Sequence, residues 1–127
     1  MNKKGIILIL LLFLITIFTS CTYGSYSIGV GDVEMGKNEI TGSYSSFNGF
    51  KQRSYNFEKG SSLNFNSVIE TESGELKVLL LDEGDNKIHE ISSTGNSNIK
   101  IKETGDYTIR VEGIEHKGSF SVEIEKK

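Results

Sequence analysis

Residues 104–124 read TGDYTIRVEGIEHKGSFSVEI and contain the alternation that decides the fold class. Single polar residues separate two sets of apolar ones: Tyr107, Ile109 and Val111, then Phe120, Val122 and Ile124. A period of two is the pattern of a β-strand with one buried face. Residues 116–118 (His-Lys-Gly) lie between the two sets, so the stretch predicts two strands joined by a loop.

The same signal recurs upstream to Phe47, with turn residues about every 8–12 positions. Turns are predicted at 58–61, 72–74 and 82–86, and a change of phase near 53–54 predicts a bulge. No window has a helical apolar stripe, so the sequence predicts an all-β, antiparallel β-sandwich of jelly-roll type with about seven to eight strands. The side chains expected to face inward are Phe57, Leu63, Phe65, Ile69, Leu76, Val78, Leu80, Ile99, Ile101, Tyr107, Ile109, Val111, Phe120, Val122 and Ile124.

Length and composition exclude several classes of protein. The 127 residues suit one domain, and 14 Lys+Arg against 17 Asp+Glu give a net charge of −3. The chain has no Pro and no Ala, which argues against a Pro-rich stalk and a helix bundle. A mildly acidic chain is also a poor nucleic-acid binder, because such a protein must neutralise phosphates.

The N-terminal residues have the features of an export signal. Lys3 and Lys4 precede an uncharged stretch over residues 5–18, which is shorter than the about 20 residues that cross a bilayer comfortably. This arrangement is typical of a signal peptide, here expected as a helix within residues 1–20. Cys21, the single cysteine of the chain, follows directly.

Residues 18–21 (Phe-Thr-Ser-Cys) resemble the lipobox of bacterial lipoproteins. The resemblance implies cleavage before Cys21, a diacylglycerol on its sulfur and no other cofactor, with the domain on the extracytoplasmic side of the membrane. The alternative is an ordinary secretory signal or an anchor helix with an incidental cysteine. Removal of residues 1–20 leaves 12 basic and 17 acidic residues, a net charge of −5. The expected organisation is a signal peptide, a tether or edge strand over residues 21–42, and a sandwich domain over residues 43–127.

Four segments of the domain resemble the bacterial pre-peptidase C-terminal domain and similar jelly-roll modules. They are YNFEKGSSL at 55–63, GELKVLLLD at 74–82, TGDYTIRV at 104–111 and GSFSV at 118–122. The resemblance implies a β-sandwich that is not itself catalytic. Modules of this kind bind polysaccharide, protein fibres or calcium.

Two apolar groups are candidates for binding. Tyr44, Phe47 and Phe50 recur in a Ser/Asn/Gly-rich stretch, where exposed rings would stack on sugars. The alternative is that these rings cap the core. Leu79 and Leu81 lie on the strand face opposite the predicted core, so either the N-terminal segment covers them or they contact a partner.

Polar candidates are weaker. Asp82, Asp85 and Asn86 surround a glycine and could contribute oxygen ligands to calcium, but the same residues suit a tight hairpin. His89 and His116 are the two histidines and are interpreted as surface residues, so neither a catalytic residue nor a zinc site is predicted. Together these features favour a lipid-anchored, non-enzymatic protein that binds an envelope protein or glycan, or serves a separate secreted enzyme as a carbohydrate-binding accessory.

Overall fold

The computed structural model describes residues 22–127, all of them in strands, turns and loops. The predicted signal peptide and Cys21 lie outside the described residues. Across residues 22–127, no helix has the length and apolar character needed to cross a membrane. The strands are β1 (Thr22–Ile28), β2 (Gly31–Met35), β3 (Glu39–Phe57), β4 (Ser62–Leu81), β5 (Lys87–Ile91), β6 (Gly95–Lys100) and β7 (Gly105–Lys126).

Three long strands form the centre of the sheet, with β7 between β3 and β4. The short strands lie along the two outer edges of the sheet. β1 and β2 pair with different halves of β3, and β5 and β6 pair with different halves of β4. Every pairing is antiparallel. The sheet therefore consists of two half-sheets. The first contains β2, β6, the start of β3, the start of β4 and the end of β7; the second contains β1, β5 and the remaining halves of the long strands.

The long strands bend where the two half-sheets meet. We call this zone the fold line; it comprises residues 45–49, 72–74 and 114–117. The register of β3 shifts between Tyr44 and Gly49, and that of β4 shifts between Thr71 and Glu75. The long strands begin and end at the opposite end of the sandwich, the open end, formed by the connections 36–38, 58–61, 82–86 and 101–104.

These bends correct three predictions. Residues 72–74 and 116–118 are not chain reversals, because β4 and β7 continue through them. Gly74 has φ of 79°, and an added Cβ would lie 2.2 Å from the Glu115 carbonyl oxygen, so a glycine allows the strand to bend without leaving the sheet. Residues 53–54 are paired in register with β7, and the irregularity of β3 lies nearer the fold line.

The half-sheets face each other around one apolar core. Across the gap, the Lys51 Nζ donates to the Val33 carbonyl oxygen at 2.6 Å and the Tyr55 hydroxyl donates to that of Gly36 at 2.6 Å. All the side chains predicted to face inward are in the core or pack against it, with Ile69 and Ile99 only partly buried. The predicted antiparallel β-sandwich is confirmed.

The N-terminal segment is part of this sandwich. Its residues form β1, β2 and the start of β3, and Val33 and Ile40 are fully buried in the core. Residues 22–42 therefore belong to the sheet, as the edge-strand alternative has it, with only short connections between their strands. The sequence signal for these strands was the spacing of apolar residues in the weakly patterned stretch over residues 28–40.

Candidate functional site

The three candidate aromatic residues do not form one exposed row. Tyr44 and Phe47 are buried in the core, with their ring centroids 5.5 Å apart, so the core-capping alternative holds for them. Phe50 is half-buried on the outside of the second half-sheet. The register shift between Phe47 and Gly49 explains the difference, because it places Phe50 on the face opposite the core.

Phe50 belongs to a cluster of side chains on that outer face. On β3, Gln52 pairs with Arg110 of β7, and Phe50 pairs with Glu112 of β7. On the other side of β7, Arg110 also pairs with Leu79 of β4. Because successive residues of a strand alternate between faces, these side chains point away from the core. We call Phe50, Gln52, Arg110 and Glu112 the outer-face cluster.

Arg110 connects the members of the outer-face cluster. Its Nε donates a hydrogen bond to Gln52 Oε1 at 2.7 Å, and its Cζ lies 4.9 Å from the Phe50 ring centroid. Its Nη1 lies 3.8 Å from Glu112 Oε1. The Arg110 side chain is still 27% exposed, so part of the guanidinium can reach a ligand. The aromatic contact and the hydrogen bond hold the side chain in one position.

Neighbouring side chains cover part of the outer face of the second half-sheet. Gln52 is only 4% exposed although it points outward, and Leu81 is 4% exposed. The first half-sheet presents small polar residues outward instead, among them Thr41, Ser43 and Ser121. The second half-sheet is therefore the better candidate for recognition.

The N-terminal segment does not cover Leu79 and Leu81. The N-terminal segment cannot lie over them, because β1 is an edge strand beside β3 whereas they lie on β4. Leu81 is buried, and Leu79 is half-buried beside Arg110. Leu79 therefore offers apolar surface next to the outer-face cluster.

His116 is buried at the fold line, contrary to its interpretation as a surface residue. Its Nδ1 is 2.6 Å from the Tyr44 hydroxyl and its Nε2 is 2.9 Å from the Thr71 hydroxyl. A neutral imidazole accepts at one nitrogen and donates at the other, and a hydroxyl can take either role. We call Tyr44, Thr71 and His116 the His116 network. It connects all three long strands.

Burial disfavours the charged forms of His116 and Tyr44. It lowers the pKa of His116 below its usual value, and it raises the pKa of Tyr44 to about 12. Both shifts oppose charge in the interior, and neither ring nitrogen reaches an acidic partner in the hydrogen bonds above. The network is therefore suited to holding the three long strands together.

His89 also differs from its predicted outward position. It lies opposite Leu80, with its ring 5.9 Å from that of Phe65 and its Nε2 2.9 Å from the Ser97 hydroxyl. The position on a short edge strand explains its partial burial. Between Thr22 and Lys127, no group of three or more His, Cys, Asp and Glu side chains could hold a metal ion.

The weak calcium candidate is a hairpin turn. Asp82 Oδ1 accepts hydrogen bonds from the backbone N–H groups of Gly84 and Asn86, both at 2.9 Å. The Asn86 N–H is the main cause of the lowered pKa of Asp82. Asp85 takes a left-handed conformation, with φ of 58°. The oxygen atoms of Asp82 thus serve the turn itself, which supports the turn alternative.

An open groove crosses the fold line, and no sequence signal pointed to it. Its volume is about 740 Å³, and its lining includes Asn48, Glu75, Ile114 and Glu115. Glu115 has φ of 44°, and its N–H donates to Asn48 Oδ1 at 3.1 Å. The outer-face cluster had a partial signal, because Arg110 and Glu112 alternate with core residues. Pairing with Phe50 and Gln52, some 60 residues away, could not be read from the sequence.

Comparison with known proteins supports the fold. No protein-family model matches the chain, and no curated protein sequence matches it. The solved structure of TmCBM61, in complex with β-1,4-galactotriose, has a TM-score of 0.51 and 15% identity, covering 85% of this chain and 88% of that chain. PliG from Aeromonas hydrophila, a periplasmic inhibitor of g-type lysozyme, has a TM-score of 0.49 and 15% identity. The match covers 73% of this chain and 93% of PliG. Because the identity is only 15%, the likeness to TmCBM61 concerns the fold alone, and it shows that the two proteins share a β-sandwich.

Proposed function

We propose that this protein is a non-catalytic binding module that a lipid on Cys21 holds at the outer face of a cell membrane. Its ligand is a glycan of the cell envelope or its surroundings, bound by the outer-face cluster. The observation that carries the proposal is the fixed position of Arg110 between Phe50, Gln52 and Glu112 on the outer face of the second half-sheet. The likeness to TmCBM61 concerns the fold, whereas the ligand is inferred from the geometry of this cluster.

The chemistry of the outer-face cluster suits a sugar ring. An aromatic ring and the neighbouring Leu79 offer apolar surface to the C–H groups of a sugar. The guanidinium donates hydrogen bonds, and the carboxylate of Glu112 accepts them, so that together they can read hydroxyl groups. Gln52 fixes the guanidinium and is itself too deeply buried to be a main contact.

Substitutions in the outer-face cluster should weaken glycan binding without unfolding the protein. In an array of envelope polysaccharides and oligosaccharides, the chain from Thr22 to Lys127 should bind a defined subset. Phe50→Ala and Arg110→Ala should each weaken that binding at least about tenfold, or ~1.4 kcal/mol. Isothermal titration with the best ligand measures the change.

Lys117→Ala is the matched control, because Lys117 lies at the fold line, away from the cluster. It should leave the affinity unchanged. Equal weakening by all three substitutions, or no glycan binding by the unaltered chain, would contradict the proposed ligand. Capture of a specific envelope protein in place of a glycan would favour a protein partner at this face.

The proposed anchor has a separate test. Cys21→Ala removes the only sulfur that can carry the lipid, so the domain should leave the membrane fraction or stay unprocessed. Two or three acyl chains hold a protein stably, each buried methylene contributing about 0.8 kcal/mol. Fractionation and intact mass of the protein measure both effects. Unchanged membrane retention and an unchanged mass would exclude the lipid.

A further inference from the structure

We propose that the lipidated protein sits directly on the membrane, with no spacer, with its open end towards the lipid head groups and its fold line pointing away. This orientation rests on the lipid at Cys21 that we proposed above. The partner surface is the lipid bilayer itself.

The first step is the absence of free chain between Cys21 and the sheet. β1 begins at Thr22, which pairs with Arg53 of β3. Cys21 is bonded to Thr22, and an extended residue spans about 3.3 Å. A lipid on Cys21 would therefore hold the edge of the second half-sheet within a few ångströms of the bilayer surface.

The second step is the direction of β1. From Thr22 the strand runs towards the fold line, where Ile28 pairs with Phe47. At about 3.3 Å per residue, the fold line lies roughly 20 Å further from the lipid than Thr22 does. The open end lies in the opposite direction, because β3 continues from Arg53 to its end at Phe57.

The third step is the distribution of charge. Of the 12 basic residues from Cys21 onward, seven lie at or beside the open end: Lys37, Lys59, Lys87, Lys100, Lys102, Lys126 and Lys127. Seven acidic residues lie there too, so that the formal charges at this end cancel: Glu39, Glu58, Asp82, Glu83, Asp85, Glu103 and Asp106. The carboxylates of Asp82 and Glu83 accept hydrogen bonds from backbone N–H groups.

The fold line carries an excess of carboxylates. In or beside it lie three acidic residues, Glu72, Glu75 and Glu115, and one basic residue, Lys117. An anionic bilayer attracts lysines near its surface and repels carboxylates, so the charges favour the open end as the membrane-facing one. Connectivity and charge thus indicate the same orientation, with the groove at the fold line presented to the surroundings.

Fluorescence quenching can test the orientation in the full-length, lipidated protein. Asn38→Cys places a thiol at the open end and Ser73→Cys places one at the fold line, both at exposed positions. The acylated Cys21 does not react, so a fluorescent label goes only to the new thiol. In vesicles of phosphatidylethanolamine and phosphatidylglycerol with a head-group nitroxide lipid, the label at Asn38→Cys should be quenched severalfold more.

A spacer provides the matched control. Insertion of about ten Gly and Ser residues between Cys21 and Thr22 adds a flexible segment and should reduce the difference between the two labels. Equal quenching at both positions without the spacer, or stronger quenching at Ser73→Cys, would overturn the orientation. Intact mass separates the two proposals: a lipidated protein with equal quenching overturns only the orientation, whereas an unlipidated protein overturns the anchor and the orientation together.

Discussion

Phe47→Ala should destabilise the protein by about 3–5 kcal/mol, the range for losing a large buried aromatic ring. Phe47 has no exposed surface and contacts Tyr44 at the fold line. A Cβ added at Gly113 would lie 2.2 Å from Phe47 Cδ1, so the ring rests directly on the β7 backbone. Removal of the ring would therefore leave a cavity between Phe47 and β7. Urea unfolding of residues 22–127 measures the loss.

Phe50→Ala is the matched control for this prediction. The same ring is removed three residues further along the same strand, but from the half-exposed outer face. The expected loss is below about 1.5 kcal/mol, because surrounding water can fill the vacated space. Equal destabilisation by the two substitutions would show that β3 does not change faces at the fold line as described.

Acid should weaken the fold through His116. Burial lowers the pKa of His116 in the folded protein below its unfolded value of 6.5, so the unfolded chain binds the extra proton more readily. The stability that neutral His116 contributes is therefore complete above about pH 6.5 and is lost as the pH falls through the folded-state pKa. Urea unfolding between about pH 7.5 and pH 5 should show a falling free energy of unfolding.

His116→Gln isolates this effect, because an amide can hydrogen-bond to Tyr44 or Thr71 but does not titrate in this range. The variant should be less stable at neutral pH by about 1–3 kcal/mol and lose less stability on acidification. His89→Gln is the matched control, because it replaces the other histidine with the same amide side chain outside the His116 network. If His116→Gln and the wild type lose stability in parallel, the pH dependence arises from other groups.

Buried residues could be predicted from the sequence wherever apolar and polar residues alternate with a period of two. Residues such as Ile109, Val111 and Val122 alternate strictly with polar neighbours, and all three are in the core. The fold class and most of the core could therefore be predicted. The bends at 72–74 and 116–118 could not, because glycine and polar residues are equally typical of a turn between strands and of a bulge within one.

The burial of the aromatic residues and of His116 could not be predicted, because it depends on contacts between residues far apart in the sequence. Phe47 and Phe50 have the same side chain and similar neighbours, yet only the register of β3 against β7 decides which ring is buried. His116 lies in a polar stretch that suggests a surface loop. Its burial follows from Tyr44 and Thr71, which are 72 and 45 residues away in the sequence. Such long-range pairs are visible only in the folded chain.

The central place of β7 has a consequence for the timing of assembly. β3 and β4 both pair with β7 and not with each other, although both precede it in synthesis. Until residues 105–126 are available, neither half-sheet can close, and most of the apolar side chains on β3 and β4 lack their partners. Folding is then a late, all-or-none event, limited by non-local contacts. For the export that we propose, this order means that the chain would cross the membrane unfolded and acquire its shape only after residues 105–126 had crossed.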